Sequence, residues 1–268
     1  MQTYDIAYAG PRNRFTVLTD EGPIVVHNCG YQLGWASFAA QLLVGFLGAP
    51  PKRYTKQEAK QLGVNGDYIT RFMEWDDNME KMMEIPHNCT TQELLIHCVA
   101  AKKIIDIYRA TATPVVGFWE MCDSLIESAL LDGQEYNHKG VLLFRKEEII
   151  LPSGMAVRYP NLRISKDEKG RRQYVFGENE KLYAGRVTNN GVQGIARVVM
   201  SDGMLRVAER LPIVGAVHDE LLALAPKEAA PHARKWVLRR MTDEPKYLPG
   251  IPLAAEGGHH RRYGLAKN

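Results

Sequence analysis

Short apolar runs separated by turn residues mark the first part of the chain, a pattern typical of β-strands. Strands are predicted at residues 3–8, 15–18 and 23–26, with turns at Gly10-Pro11 and Asp20-Glu21-Gly22 between them. A β unit of this size cannot bury a core of its own. We therefore expect it to need a partner segment.

From residue 29 onward the apolar residues recur at helical spacing. Helices are predicted over four stretches: 31–47, 56–85 with a break at Gly63–Gly66, 92–110, and 115–131. Thr91 is the predicted cap of the third helix, with Gln92 and Glu93 in its first turn. The first half of the chain is thus predicted to be mainly helical after its β unit.

Strand patterns return in the second half. Strands are predicted within 141–164, around Pro152-Ser153-Gly154, and a charged turn at 166–173. A helix is predicted over 187–210, and the apolar runs 212–217 and 221–225 flank His218-Asp219-Glu220. A last helix covers about 227–241. This order of elements predicts an α+β fold.

Composition narrows the class of protein. The chain has 268 residues, 45% hydrophobic and 24% charged, which is ordinary globular usage and excludes a disordered or fibrous protein. It contains no apolar run of the roughly 18–20 residues that span a bilayer, and we see no signal peptide. Four cysteines in a chain of this length do not form a disulfide framework. The net charge of +3 permits a nucleic-acid partner without requiring one.

The triplet His27-Asn28-Cys29 follows an apolar strand. An asparagine side-chain amide can attack its own backbone carbonyl, and a neighbouring histidine can assist by proton transfer. A cysteine at the next position supplies a thiolate that accepts an acyl group. These are the last steps of protein splicing, although the triplet alone fits an ordinary turn with a buried thiol equally well.

The residues around the triplet resemble the C-terminal end of an intein. The matching pieces, in order, are Tyr4-Asp5-Ile6, Phe15, Ile24-Val25-Val26 and His27-Asn28-Cys29. Asn13 stands where the family usually has a histidine that assists cyclisation. The resemblance implies either one half of a split intein that splices in trans or a truncated gene. In the split reading, the partner is the N-terminal half of the interrupted protein, fused to the N-terminal intein fragment.

The segment 212–225 predicts a β-hairpin with carboxylates at its tip. Such a hairpin is a rigid mount for Mg²⁺, which stabilises the oxygens that attack and leave in phosphoryl transfer. Because turns favour aspartate in any protein, the hairpin alone does not establish this chemistry.

Residues 29–268 resemble, in correct order, the family A DNA polymerases of the bacteriophage type. The matching pieces are Cys29-Gly30-Tyr31, Pro114-Val115-Val116, Leu151-Pro152-Ser153-Gly154, Tyr159-Pro160, Leu182-Tyr183-Ala184-Gly185, Asn190 to Arg197, Ile213 to Glu220, and Arg261-Arg262-Tyr263. The resemblance implies a palm, an antiparallel sheet with the carboxylate hairpin, together with helices of the fingers. It divides the chain into an intein fragment at 1–28, the remainder of the fingers at 29–140 and the C-terminal part of the palm at 141–268. For a protein of bacteriophage origin it also implies a cytoplasmic location in the host cell.

The resemblance also implies roles for individual residues. Asp219 is expected to bind a catalytic Mg²⁺, one of two ions whose other ligands come from an N-terminal part of the polymerase. Glu220 is auxiliary, and Tyr31 lies beside the incoming nucleotide. The expected contacts to the primer–template DNA come from His218, Asn190, Gln193 and Arg197. Two other readings stay open: a split polymerase assembled without splicing, and a non-catalytic DNA-binding remnant.

Some features of the sequence depart from the pattern of the polymerase family or belong to none of its motifs. Met155 replaces an arginine that the family commonly has after the Pro-Ser-Gly turn. Residues 51–91 are longer than the usual spacing and have no assigned role, and their Trp75 and methionines are expected to pack between helices. Two basic clusters could contact phosphate or simply face solvent: Arg234, Lys235, Arg239 and Arg240, and His259 to Arg262.

Overall fold

The computed structural model of the chain describes residues 15–19, 22–26, 32–45, 50–217, 219–262 and 266. The predicted strand at 3–8 lies outside these residues. The described residues up to Cys122 belong to one compact unit, and those from Asp123 onward belong to a second. Within the described residues the fold is α+β, with small antiparallel sheets, as the sequence predicts. The domain boundaries at 28/29 and 140/141, which the polymerase and intein resemblances imply, stay predictions.

The described residues of the first unit form one hairpin, five helices and the larger part of a sixth. Strands β1 (Phe15–Thr19) and β2 (Gly22–Val26) pair antiparallel, which confirms these two predicted strands. The helices that follow are α1 (Trp35–Val44), α2 (Lys56–Gln61), α3 (Gly66–Met73), α4 (Asp76–Met83) and α5 (Thr91–Thr111).

Two helices of this unit begin with a capping box. The Thr55 side chain caps α2 together with Glu58. On α5 the prediction was wrong by one position, because Thr90 and not Thr91 is the cap. The Thr90 hydroxyl accepts from the backbone N–H of Glu93 at 3.3 Å, and the Glu93 carboxylate accepts from the Thr90 N–H at 2.9 Å. This reciprocal pair needs a glutamate three residues after the cap, which only Thr90 has.

Helix α5 is the centre of the first unit and contacts α1, α2 and α4. Burying an aliphatic side chain stabilises a fold by about 1.5–3 kcal/mol, so this helix contributes much of the stability of the unit. Its buried residues are Leu94, His97, Cys98, Val99, Ala100, Ala101, Ile104, Ile105 and Tyr108.

The segment 51–91 folds into helices α2 to α4, with the predicted break at Gly63–Gly66 and a further break at Trp75. The expectation that Trp75 and its neighbouring methionines form one packing face is wrong in part. Met82 is fully buried, whereas Trp75 and Met83 are 69% and 57% exposed. Trp75 precedes α4 as its N-terminal cap position, so it does not share the buried face of the helix.

The boundary between the units falls within α6 (Thr113–Leu125), which continues as a π-helical stretch at Ile126–Leu131. The second unit then forms two antiparallel sheets. The first, in the order β3-β4-β5-β6, consists of β3 (Tyr136–His138), β4 (Leu142–Arg145), β5 (Glu148–Ile150) and β6 (Ala156–Arg158). The second consists of β7 (Arg163–Lys166), β8 (Arg172–Phe176) and β9 (Glu180–Leu182), and the predicted charged turn joins β7 to β8.

A long helix, a hairpin and a last, shorter helix complete the second unit. They are α7 (Ala184–Ala208), β10 (Ile213–Val217), β11 (Glu220–Ala223) and, after a 3₁₀ turn at Lys227–Ala229, α8 (Ala230–Met241). None of the helices in the described part of the chain is both long and apolar enough to cross a membrane.

Glycines let α7 lie close to its neighbours. A Cβ on Gly194 would lie 2.9 Å from Leu151 Cδ2, and one on Gly191 would lie 3.3 Å from Leu142 Cδ1. Near the other end of the helix, a Cβ on Gly203 would lie 2.8 Å from the sulfur of Met241 in α8. The helix is therefore held on one side by the end of β5 and on another by α8.

Candidate nucleotidyl-transfer site

The hairpin β10–β11 presents its carboxylates at a tight turn. Val217 and Glu220 form the last pair of the antiparallel ladder, and Asp219 lies in the turn between them. Asp219 is exposed and Glu220 is half-buried. His218 lies outside the described residues. The geometry places one carboxylate in solvent at the tip and a second at the start of the return strand.

The hairpin is regular at its ends and bulged in the middle. The Leu224 N–H donates to the Pro212 carbonyl at 2.9 Å and closes the base of the hairpin. The register shifts between Ile213 and Gly215, so Val214 is the extra residue of a bulge. Within the described residues, β10 and β11 pair only with each other.

Helix α7 presents the predicted DNA-contact residues on one face. Asn190, Gln193 and Arg197 are spaced by three and four positions, so they lie one above another along the helix. Gln193 and Arg197 are exposed, and Asn190 is half-buried. The helix also contacts β10, so this polar face and the carboxylate hairpin belong to one compact unit.

Asn190 has a partner that sequence reasoning missed. Its side-chain nitrogen donates to the hydroxyl of Tyr159 at 3.1 Å. The Tyr159 ring is 1% exposed and meets the ring of Phe176 edge-on at 5.2 Å between centroids. The tyrosine therefore fixes the orientation of the asparagine side chain. The Tyr-Pro motif marked Tyr159 as part of a turn, but no sequence pattern connects it with a residue 31 positions away.

The far end of α7 is anchored by polar contacts. Arg206 Nε donates to the Arg240 carbonyl at 3.2 Å, and the Asp243 carboxylate accepts from Arg240 at 3.0 Å. The Tyr247 hydroxyl donates to Asp202 at 2.7 Å. Burial, and then this hydrogen bond to Asp202, raise the pKa of Tyr247. These contacts hold α7 against α8 and the segment that follows it.

The carboxylates of the hairpin suit Mg²⁺ in ligand type, because this ion prefers oxygen ligands and keeps several waters. Their number is small: in the part of the chain that the structure describes, no group of three or more His, Cys, Asp or Glu residues is placed to hold a metal. Asp219 and Glu220 thus fit as a partial ligand set that further ligands would have to complete.

Several predicted site residues lie outside the described residues, namely His27, Asn28, Cys29 and Tyr31, together with Asn13. The described cysteines have a different character from a splicing nucleophile. Cys98 and Cys122 are buried, and Cys89 is half-buried. Burial raises the pKa of the Cys98 thiol to about 12, so this thiol stays protonated near neutral pH.

No family model matches the chain, and no curated protein matches it either. The resemblances to inteins and to family A polymerases therefore rest on the residues quoted above.

Proposed function

We propose that residues 29–268 are the C-terminal portion of a template-directed DNA polymerase that uses two Mg²⁺ ions for nucleotidyl transfer. The observation that carries the proposal is the carboxylate hairpin beside a helix with a polar face. Asp219 lies at the exposed tip of β10–β11, and α7 of the same unit presents Asn190, Gln193 and Arg197. The order of sequence motifs from Cys29 to Arg262 supports the same assignment.

Each residue has a defined task in this proposal. Asp219 would hold Mg²⁺, with Glu220 beside it, and the ion supplies positive charge where negative charge develops on the transferred phosphoryl group. Asn190 and Gln193 donate to acceptor atoms in the minor groove. Because all base pairs present such acceptors there, these contacts tolerate any sequence. Arg197 contacts the same DNA from the next turn of α7.

The two carboxylates of the hairpin do not form a complete two-metal site. The remaining ligands, together with Tyr31 and His218 at the nucleotide and the primer end, belong to the assembled enzyme. We propose that the missing part is a separate N-terminal polymerase half. A chain with residues 1–28 still attached is then inactive as a polymerase.

Joining of the two halves would occur at Cys29. The Cys29 thiolate attacks the thioester or ester carbonyl that links the N-terminal half to the first nucleophile of the N-terminal intein fragment, and that fragment leaves with its thiol or hydroxyl restored. The side-chain nitrogen of Asn28 then attacks the Asn28 backbone carbonyl carbon, the bond from that carbon to the Cys29 nitrogen breaks, and the nitrogen takes up a proton. The freed Cys29 amine attacks the neighbouring thioester carbonyl, so that a peptide bond forms, the carbon–sulfur bond breaks and the thiol is restored. Residues 1–28 leave with a C-terminal succinimide, and His27 assists by proton transfer. The support for this step is the ordered intein resemblance of residues 4–29.

Primer extension by the joined enzyme tests the polymerase proposal. Asp219→Asn removes the carboxylate with little change in size, and we expect the rate to fall at least about a thousandfold, since metal stabilisation of the reacting oxygens contributes several kcal/mol. Glu178→Gln is the matched control, because Glu178 is an exposed carboxylate in the turn of the β8–β9 hairpin. Equal loss in the two variants, or no loss in Asp219→Asn, refutes the metal-binding role.

Co-expression with a candidate N-terminal half tests splicing. The mass of the product should show a ligated chain that begins its C-terminal part at Cys29 and lacks residues 1–28. Asn28→Ala should prevent release of residues 1–28, and Cys29→Ala should prevent ligation. An active complex in which residues 1–28 stay attached would replace splicing by non-covalent assembly.

A further inference from the structure

Two basic segments that are separate in the sequence come together in the second unit. Helix α8 carries Arg234, Lys235, Arg239 and Arg240, and it contains no aspartate or glutamate. The C-terminal segment carries Arg261 and Arg262, both exposed. Neither segment by itself distinguishes a binding surface from a solvated face.

The contact that joins them is made by Gly257. Its carbonyl oxygen accepts a hydrogen bond from Arg234 Nε on α8. A Cβ on Gly257 would lie 3.7 Å from Leu238 Cδ2, one turn further along the same helix. Because an extended chain advances at most about 3.6 Å per residue, Arg261 and Arg262 stay within about 18 Å of this anchor point. The C-terminal cations are thereby tethered to α8 through Gly257.

The cations of α8 fall into two groups. Arg240 pairs with Asp243 at 3.0 Å, and Arg234 is engaged by Gly257. Lys235 and Arg239 are exposed, lie four positions apart on one face, and pair with no acidic side chain among the described residues. Arg261 and Arg262 likewise have no acidic partner in the part of the chain that the structure describes. We call Lys235, Arg239, Arg261 and Arg262 the α8 basic patch.

We infer that the α8 basic patch binds the phosphate backbone of duplex DNA. Four cations without an acidic partner among the described residues, two on one face of α8 and two in the segment tethered to it, would neutralise phosphates and release counterions, which is the main source of sequence-independent DNA affinity. Stacking on unpaired bases is disfavoured, because Trp236, the aromatic residue of α8, is half-buried and lies under the Arg210 guanidinium at 5.5 Å. Single strands are usually bound through exposed aromatic side chains, so the patch fits a duplex.

This surface is distinct from the polar face of α7 and does not depend on the polymerase assignment. Its binding rests on charge and not on Asp219, on Mg²⁺ or on a primer terminus. The patch would hold DNA already in the unjoined chain, before a complete catalytic site exists.

Fluorescence anisotropy of a short blunt-ended duplex, with the full chain and no divalent metal, tests the inference across a series of NaCl concentrations. Removal of one phosphate-binding cation should reduce the slope of log K against log salt by about 1, so Lys235→Gln/Arg239→Gln should reduce it by about 2. Arg261→Gln/Arg262→Gln should do the same. The matched control is Lys56→Gln/Lys60→Gln, which removes two exposed helix lysines at the same spacing on α2 and should leave the slope unchanged.

Three outcomes would overturn the inference. The first is an equal change of the salt slope in the control variant, and the second is an unchanged slope in both patch variants. The third is binding of poly-glutamate by the patch without binding of duplex DNA. The last result would assign the surface to an acidic protein. Failure of the polymerase proposal looks different, because Asp219→Asn is assayed by primer extension and leaves this salt dependence untouched.

Discussion

The indole N–H of Trp35 donates a hydrogen bond to the side-chain oxygen of Asn78 at 3.2 Å. The Asn78 nitrogen in turn donates to the Phe72 carbonyl at 3.1 Å, and the Trp35 ring meets the Phe72 ring edge-on at 5.0 Å between centroids. The start of α1 is thus fastened to α3 and α4. No role could be assigned to the segment 51–91 from the sequence. In the structure it anchors the start of α1, the helix that follows the proposed splice junction.

Removing this hydrogen bond should loosen the start of α1. Asn78→Ala and Trp35→Phe should each lower the free energy of unfolding, and their coupling in a double-mutant cycle should be about 0.5–1.5 kcal/mol, the usual net contribution of one such bond. Hydrogen exchange of the α1 amides should rise in both variants. Additive effects of the two substitutions would show that the bond contributes nothing to stability.

His97 connects α5 to two other segments of the first unit. It is fully buried, its Nδ1 accepts from the Tyr54 backbone N–H at 3.2 Å, and its Nε2 donates to the Ala39 carbonyl of α1 at 3.0 Å. Burial lowers the pKa of His97, against the opposing effect of the Ala39 carbonyl, and the charge of Arg53 lowers it further. The folded protein therefore holds this histidine neutral.

The lowered pKa of His97 predicts loss of stability in mild acid. Below the ordinary histidine pKa of about 6.5 the unfolded chain takes up a proton that the folded chain does not, so stability falls until the pH reaches the lowered folded-state pKa. Melting temperatures between neutral and mildly acidic pH should show this decline. His97→Gln keeps an acceptor and a donor but cannot titrate, and its decline should be smaller. An identical dependence of the melting temperature on pH in wild type and His97→Gln would show that His97 does not cause the loss of stability in mild acid.

The close approach at Gly194 predicts opposite effects for two glycine substitutions. Gly194→Ala forces a Cβ into the Leu151 side chain, and overpacking of this kind costs about 1–3 kcal/mol. Gly117→Ala on the exposed side of α6 meets no atom within 4 Å and should stabilise the helix by up to about 1 kcal/mol. Denaturant unfolding should therefore rank Gly117→Ala above wild type and Gly194→Ala below wild type. The reverse order would mean that α7 does not press on Leu151.

The hydrogen bond between Asn190 and Tyr159 predicts a specific defect in DNA binding. Tyr159→Phe keeps the ring against Phe176 and removes only the hydroxyl, so the loss of stability should be about 1 kcal/mol. If Tyr159 positions Asn190 on the DNA, the KM for primer–template should rise in the joined enzyme while kcat changes little. Asn190→Ala should abolish any further effect of Tyr159→Phe. Independent effects of the two substitutions would mean that the tyrosine acts only on stability.

Periodicity predicted most of the elements, since the helices and the β10–β11 hairpin arise from local patterns. It missed the short strands β3 and β9, and it failed where the outcome depends on a distant neighbour or on one position of a cap. The cap of α5 was misplaced because Thr90 and Thr91 are adjacent and only Thr90 pairs with Glu93. Helix α1 begins at Trp35, later than its apolar pattern starts. The exposure of Trp75 and the partner of Asn190 were not predictable, because neither is encoded at helical or strand spacing.

The apolar surface of β10–β11 has a consequence for handling the chain. No residue of either strand is buried, and Val214, Val217 and Leu224 are 58%, 48% and 58% exposed. A two-stranded ribbon with free edges is a template for pairing with other copies, and charge or coverage normally prevents this. This ribbon should therefore be the place where the protein aggregates. Light scattering should therefore rise with concentration in wild type, and less steeply once Val214→Lys places a charge on the edge.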